Sequence, residues 1–301
     1  MNEKPYNHPQ TVIVYHFPCP DGFGAAFAAW KAVPHAKFLQ ANYGQKSVDT
    51  SIFVDKHVYI LDFSYPQHIM REIASVASHV EIHDHHAPNF HNVQPLIDEG
   101  LIEGVLDDKH SGAVLAWKRF HPTRQIPEFL QYIEDRDLWN WKLPNSDKIC
   151  AGISTLAFDF YEWDQVFIFW DKYKERFLER GAGVLAYKEQ LLKDALRNVV
   201  PMYFEYDTHI APIYAQALAV NCTKMLISEV ANELAKKAPE GIGAGFFMRQ
   251  DGRWEVSLRS IKPVECVHIA KAYGGGGHPQ ACGFIIDDIR ELISVPPNHP
   301  E

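Results

Sequence analysis

Three short apolar runs, each delivering acidic or imidazole side chains, constrain this chain more than any other feature. Thr11-Val12-Ile13-Val14-Tyr15 runs into His16-Phe17-Pro18-Cys19-Pro20-Asp21-Gly22. His57-Val58-Tyr59-Ile60-Leu61 runs into Asp62-Phe63-Ser64-Tyr65-Pro66. Ser78-His79-Val80-Glu81-Ile82 leads to Asp84-His85-His86, with Pro88 closing the stretch. Runs of this length and β-branched content read as buried strands. The Ala-rich segment from Ala25 to Ala32, and the segment from Pro66 to Ala77, read as helices between them. Strand, polar turn and helix in succession predict an α/β fold, whose ligands sit at the carboxyl ends of parallel strands. The Asp and His residues at these three strand ends then lie side by side.

Further along, Ser111 is placed to cap a helix through Val114, Leu115 and Trp117. Phe129 to Ile133 is a helical or buried segment that ends in Glu134-Asp135-Arg136-Asp137-Leu138-Trp139. From Phe158 to about Asn198, aromatic and charged residues alternate at helical spacing, which predicts a pair of amphipathic helices. Gly181-Ala182-Gly183 is the place where they would bend or break, and the aromatic stripe reads as core packing ahead of a base-stacking surface. Strand-like runs (199–206, 215–220, 243–248, 254–260) and helices (228–237, 264–273) fill the last third. The expected fold is therefore α/β in two lobes. A parallel-sheet N-terminal domain covers 1–150, a helical connector 151–198, and a smaller mixed α/β C-terminal domain 199–301. The Pro-rich tail from Val295 reads as loose.

Charge and composition narrow the class. Lys and Arg number 29 against 38 Asp and Glu, a formal net charge of -9. That argues against long-range attraction to nucleic acid, which rests on neutralising phosphates with basic side chains. It leaves room for a local basic cleft, or for metal ions that cancel carboxylates inside a site. No apolar run is long enough to span a bilayer, and Met1-Asn2-Glu3-Lys4-Pro5 lacks the apolar core of a signal peptide. With five scattered cysteines, an odd number, a disulfide framework is not expected and a cytoplasmic location is.

His16, Asp21, Asp62, Asp84, His85 and Asp137 together form a donor set suited to Mn, Fe, Zn or Mg. Singly, each has a plainer reading: Asp21-Gly22 as a turn, Asp62 as a helix cap, the histidines as surface residues. In the last third, the run Gly274-Gly275-Gly276-Gly277 exposes backbone N–H groups that can approach a phosphate. His278 adds a donor and a stacking face, and Arg259 can clamp a phosphate in bidentate fashion. The plainer alternative is a flexible turn with a surface histidine.

The order of these motifs resembles the DHH phosphoesterase superfamily. Asp84-His85-His86 follows one strand, Asp62 the strand before it, and His16 and Asp21 sit in the first turn. The run from Gly274 to Phe284, preceded by Ser257-Leu258-Arg259-Ser260, is similar to the DHH-associated substrate-binding domain. The resemblance, which spans about Val12 to Ile286, implies two divalent metal ions, manganese first. Asp62 would bridge them, His16 would serve one, and Asp21, His85 and Asp137 the other. Asp135 competes with Asp137 for that place. Asp84 would orient the imidazoles, and His86 would face the scissile phosphate. Arg259, Gly276, Gly277 and His278 would bind substrate. One departure stands out: Cys19 occupies the place of an aspartate in the family's first motif. Either Cys19 is structural and the first metal is held differently or weakly, or its thiolate is a ligand, which favours Zn, Fe or Co over Mg.

What the resemblance implies is a metal-dependent phosphodiesterase in which a metal-bridging hydroxide attacks phosphorus in line. Its substrate would be a short single-stranded oligonucleotide or another small phosphodiester, degraded from one end, and the chain would work away from membranes, as a homodimer or alone. Exopolyphosphatase, pyrophosphatase and cyclic-dinucleotide phosphodiesterase are the rivals within the enzyme class. A non-catalytic nucleotide sensor, with a weakened first metal site at Cys19, is the rival from another class.

Overall fold

The computed structural model describes residues 10–43, 47–207 and 212–293. The amino-terminal Met1–Pro5 stretch and the tail from Val295 fall outside them. The chain divides into two compact units, Met1–Leu185 and Ala186–Glu301.

The first unit is built on a parallel sheet. Its strands are β1 (Thr11–His16), β2 (Lys37–Ala41), β3 (His57–Leu61), β4 (His79–Asp84) and β5 (Glu103–Leu106). They lie in the order β2-β1-β3-β4-β5, so the three strands singled out by their polar ends are neighbours. Register explains their apolar continuity. Val14, Ile60 and Ile82 form one row across the sheet, while Tyr15, Leu61 and His83 form the next. Successive rows face opposite sides, and both sides of a parallel sheet are covered by helices.

On one side pack α1 (Pro20–Ala32), α4 (Gly112–Phe120) and α5 (Glu128–Asp137), around Ile13, Phe23, Phe27, Leu61 and Trp117. On the other pack α2 (Gln67–Val76) and α3 (Phe90–Asp98), around Val14, Ile60, Ile69, Ile82 and Leu96. β2 and β5 are the sheet's edges and were not anticipated. β2 mixes Lys37 and Gln40 with Phe38 and Leu39, and β5 is four residues long and contains Gly104, so neither carries the apolar signal of a central strand.

The connector resolves into α6 (Ser146–Ile153), a short α7 (Phe160–Ile168) and a long α8 (Trp170–Ala195). Trp163 and Phe177 are buried in the core of the first unit and Phe160, Phe167, Trp170 and Tyr173 pack against it, whereas Phe158 and Phe169 of the same stripe are exposed. Gly181-Ala182-Gly183 does not break α8. A Cβ at Gly181 would lie 1.7 Å from the Lys148 carbonyl oxygen, so the glycine admits a close approach of α8 to α6. The second unit carries a mixed sheet of β6 (Val200–Asp207), β7 (Pro212–Asn221), β8 (Ile242–Met248), β9 (Trp254–Ser260), β10 (Gly276–His278) and β11 (Ala281–Ile286). Their order is β10-β11-β9-β8-β7-β6. Only the β7–β8 pair is parallel, with α9 (Ile227–Lys237) as its crossover, and α10 (Val267–Ala272) covers part of the opposite face.

Glu81 and His83 share one face of β4 and are buried at 5% and 3% exposure. Glu81 Oε1 lies 2.7 Å from His83 Nε2, and the Arg119 guanidinium of α4 closes on the same carboxylate with both Nε and Nη2. Burial pushes the Glu81 carboxyl up, but His83 and Arg119 outweigh it and hold it down at about 2, against an ordinary 4.5. The network's stability is therefore full above pH 4.5 and lost as pH falls toward 2. Glu81→Gln should destabilise the fold at pH 7 by about 3 kcal/mol, the scale for breaking a buried ion pair. The gap to the parent protein, read from urea unfolding at pH 7, 5 and 3.5, should narrow with acid; a gap that stays constant would mean the carboxylate charge contributes nothing.

Candidate metal centre

Asp62 is the first residue beyond β3. Its N–H donates to the His83 carbonyl at 2.8 Å, and its backbone turns into the left-handed region at φ +56. That turn sends the side chain into the protein, where its exposure is 0%. Gly112 makes the placement achievable: a Cβ there would sit 2.4 Å from Asp62 Cβ and 2.6 Å from its Oδ1. A left-handed, non-glycine residue held by its surroundings is costly, of order 1–3 kcal/mol, and such residues concentrate at functional sites.

Around Asp62 the other strand-end residues converge. His16, the last residue of β1, places Nδ1 3.5 Å from Asp62 Oδ2. His85 Nε2 lies 3.0 Å from Asp62 Oδ1, 3.4 Å from Asp137 Oδ2 and 3.6 Å from Asp21 Oδ2. Asp21, in the first turn of α1, accepts from the N–H groups of Gly112 at 2.6 Å and Ala113 at 3.0 Å. The amino terminus of α4, capped by Ser111, thus supports an anion. Asp84 ends β4 fully buried and accepts from the His86 backbone N–H at 3.1 Å; its Oδ1 lies 2.8 Å from His86 Nδ1. His86 also reaches to 3.9 Å from Asp62.

The competition between the two acidic residues at the end of α5 has a geometric outcome. Asp135 accepts from the N–H groups of Lys142 and Leu143 at 2.9 and 3.1 Å, closing the loop behind the helix. Asp137, two positions on and so roughly on the opposite face of the helix, meets His85 instead. The loop that Asp135 closes holds Trp139 and Trp141 in the left-handed region and leaves both indoles exposed.

Three overlapping groups of donor atoms result: His16, Cys19 and Asp62; Asp62, His85 and His86; Asp21, His85 and Asp137. Within each group the atoms lie within 4.8 Å of one another, a spacing that one cation can fill. Asp62 and His85 each belong to two groups. The residues fit divalent ions on a further count. His16 Nδ1, both Asp62 carboxylate oxygens and Asp84 Oδ2 are buried with no hydrogen-bond partner among the described residues, and buried polar atoms are rarely left so.

The electrostatics describe a site crowded with negative charge. Burial, then the Asp62 and Asp137 carboxylates, raise Asp21 well above the usual range, and burial and Asp62 raise Asp137. Burial, then Asp62 and Asp21, push the Cys19 thiol up to about 12. Burial would lower His85, but Asp62, Asp21 and Asp137 outweigh it and lift the imidazole to about 9. Burial works against ionised Asp62, yet His16 and His85 hold it at about 2. Each carboxylate thus seeks a positive partner that the protein itself supplies only in part.

Sequence reasoning missed Tyr43. Its ring stands 5.2 Å from that of His16 and 5.7 Å from that of His86, walling one side of the centre. It follows the edge strand β2 in a loop, where no periodicity marks it. The expected substrate-binding residues lie in the second unit. Arg259 on β9 pairs with Ala281 on β11, which pairs with His278 on β10, so Arg259 and His278 fall in one cross-strand row. Arg259 donates to the Leu258 carbonyl and the Ser228 hydroxyl, both at 2.8 Å. Gly276 and Gly277 lie on β10 beside exposed His278. A cavity of about 440 Å³ opens in this unit between Gly274, Gly275, Gly283, Ser257 and Arg253.

Comparison with known proteins places the second unit first: residues 212–295 match the DHHA1 domain family. Over 94% of its length the chain is 24% identical to the uncharacterized protein R106 of Acanthamoeba polyphaga mimivirus, covering 69% of that protein. Over 74% of its length it is 23% identical to the oligoribonuclease NrnB of Bacillus subtilis (strain 168), of which it spans 57%. Among solved structures it is similar to the pGpG-specific phosphodiesterase PggH of Vibrio cholerae, at 12% identity and a TM-score of 0.47, over 92% of this chain and 93% of that one.

Asp62→Asn tests the centre with little disturbance, because Asn keeps the shape and tolerates the left-handed backbone. The purified variant should lose nearly all tightly held divalent metal, measured by elemental analysis after gel filtration. Retention of the parent's metal content would remove Asp62 from the centre.

Proposed function

We propose that this chain, whose residues 212–295 match the DHHA1 domain family, is a metal-dependent phosphodiesterase of the DHH phosphoesterase superfamily acting on short oligonucleotides. The observation that carries this reading is the set of three overlapping donor groups, the first two joined by Asp62 and the last two by His85, gathered at the ends of adjacent parallel strands. His16, Cys19 and Asp62 would hold one ion, and Asp21, Asp62, His85 and Asp137 the other. Divalent ions held there supply Lewis acidity and neutralise charge on the phosphoryl oxygens.

The chain's own residues account for the rest. Asp84 fixes His86 by two contacts, at the backbone N–H and at Nδ1. Burial would lower the pKa of this imidazole, but Asp84 outweighs it and raises it, so a protonated ring is held with Nδ1–H toward Asp84 and Nε2–H available to the phosphate. From that position His86 donates to a phosphoryl oxygen or protonates the leaving group. Arg259 and His278 of the DHHA1 domain would serve in substrate binding. A net charge of -9 supports a substrate of few phosphates over a long polyanion.

The distinguishing assay is a panel of dinucleotide, longer RNA, cyclic dinucleotide, pyrophosphate and polyphosphate, each with Mn, Co, Zn and Mg. Fastest turnover of the dinucleotide is expected. Preference for polyphosphate would reassign the substrate, and nucleotide binding with no hydrolysis under any metal would make the protein a sensor. His278→Ala should raise KM for the dinucleotide about tenfold while kcat changes little. Loss of kcat at unchanged KM would overturn the binding role.

Cys19 sets the expected metal preference. Its sulfur belongs to the first donor group, where a bound cation would displace the thiol proton. Reconstitution with Co(II) should therefore give a near-ultraviolet sulfur-to-metal charge-transfer band that Cys19→Ser abolishes. An unchanged spectrum would leave the thiol outside the coordination sphere.

A further inference from the structure

Beside the metal centre, and separate from its ligands, the first unit holds a small cavity of about 90 Å³. Asn42, Tyr43, Phe63, Ser64, Asn89 and Asn92 are among the residues that line it, with Tyr65 and Pro66. It shares a wall with the centre. The Phe63 ring stacks on His16 at 6.2 Å, and Tyr43 stands edge-on to both His16 and His86. A group in this cavity would therefore be attached to, or adjacent to, a phosphate facing His86.

Three properties define what fits. The lining contains no charged side chain, so a second phosphate would meet no cation there. It is rich in amides and hydroxyls, which pair with neutral donors and acceptors. Asn42 Oδ1 accepts from the Tyr43 N–H at 2.8 Å, and Asn89 Nδ2 reaches the Tyr43 hydroxyl at 3.4 Å, which sets part of the lining in place. Most pointed is Ser64: it is 4% exposed, and its hydroxyl has no hydrogen-bond partner among the described residues. A buried hydroxyl left unsatisfied costs roughly 1–3 kcal/mol, a cost that a ligand hydroxyl would remove. The volume suits about three waters, enough for the hydroxyl-bearing edge of a sugar between aromatic walls and too little for a whole purine.

We propose that this cavity is a ribose subsite that reads a sugar hydroxyl of the nucleoside flanking the scissile phosphate, with Ser64 as its buried partner and Asn92 at its rim. The proposal rests on the phosphodiesterase reading for the position of the phosphate, and it deepens that reading: the enzyme would prefer ribonucleotides to deoxyribonucleotides.

The test is a binding measurement that needs no turnover. The full-length, Mn-loaded protein is titrated calorimetrically with AMP and with its 2′-deoxy and 3′-deoxy analogues. One hydrogen bond of about 1 kcal/mol corresponds to roughly a fivefold difference in Kd, so AMP should bind at least fivefold more tightly than one of the two analogues. In Ser64→Ala the difference should shrink to under twofold. Asn92→Leu, at the less buried rim, should reduce it in the same direction, and it carries the test where Ser64→Ala fails to give a cooperative melt. Equal binding of all three ligands by the parent protein, absence of AMP binding, or a difference that survives both substitutions would overturn the subsite. Failure to hydrolyse any phosphodiester, with the AMP difference intact, would instead sink the phosphodiesterase reading and leave the subsite standing.

Discussion

A carboxylate removed entirely from water, with neither oxygen hydrogen-bonded, is the constraint on which the first unit turns. Asp62 reaches that position by a left-handed turn at the end of β3, into space that exists because residue 112 has no side chain. Isolated in a protein interior, such a charge costs several kcal/mol. The fold offsets part of this with His16, His85 and, at 3.9 Å, His86, while Asp21, Asp84 and Asp137 crowd the same volume. The α4 amino terminus steadies Asp21 but does not neutralise it. A divalent ion would supply what is missing, and any ligand that binds only the folded state adds to its stability.

The stretch Glu81-Ile82-His83-Asp84-His85-His86 is divided by the period of the strand. Glu81 and His83 project to the side where α4 brings Arg119, and there they form a buried ion network beside Tyr59, whose ring lies 5.7 Å from the Arg119 guanidinium. Ile82 joins the opposite core. Asp84 leaves the strand at its carboxyl end, and His85 and His86 follow once the β alternation has ceased. Two of the acidic and imidazole side chains in this short stretch are therefore architectural, and the rest belong to the centre. Their chemistry alone does not sort them; the pleat does.

That division also marks how far the chain could be read from its sequence. Strand ends were legible because β1, β3 and β4 are central and apolar on both faces, and the polar residues that interrupt them stand out. Edge strands β2 and β5 were not, because one open side relaxes the demand for apolar residues. Gly181 looked like a breaker, since helix propensity counts its entropy and says nothing of the Lys148 carbonyl pressed against it. Asp135 and Asp137 could not be ordered with certainty because two positions along a helix point to opposed faces, and which face meets the site is a tertiary fact. The amides and hydroxyls of the small cavity come from the segments after β2, β3 and β4, the last including Asn92 of α3, and only the sheet order brings them together.

On the proposed reading, each part of a nucleotide would meet a different kind of surface. The phosphate position would be made attractive by carboxylates that gather cations, a local inversion that depends on the ions themselves. The adjoining cavity is neutral and hydroxyl-rich, suited to a sugar and indifferent to charge. Beyond a Debye length of about 8 Å, the bound ions are screened and the remaining surface carries the net acidity of the chain. A longer strand would present more phosphates to that acidity than metal ions at the centre and Arg259 could offset. On the proposed reading, a preference for short substrates then needs no wall that blocks long ones; it follows from a small cation-binding centre in a chain of net charge -9.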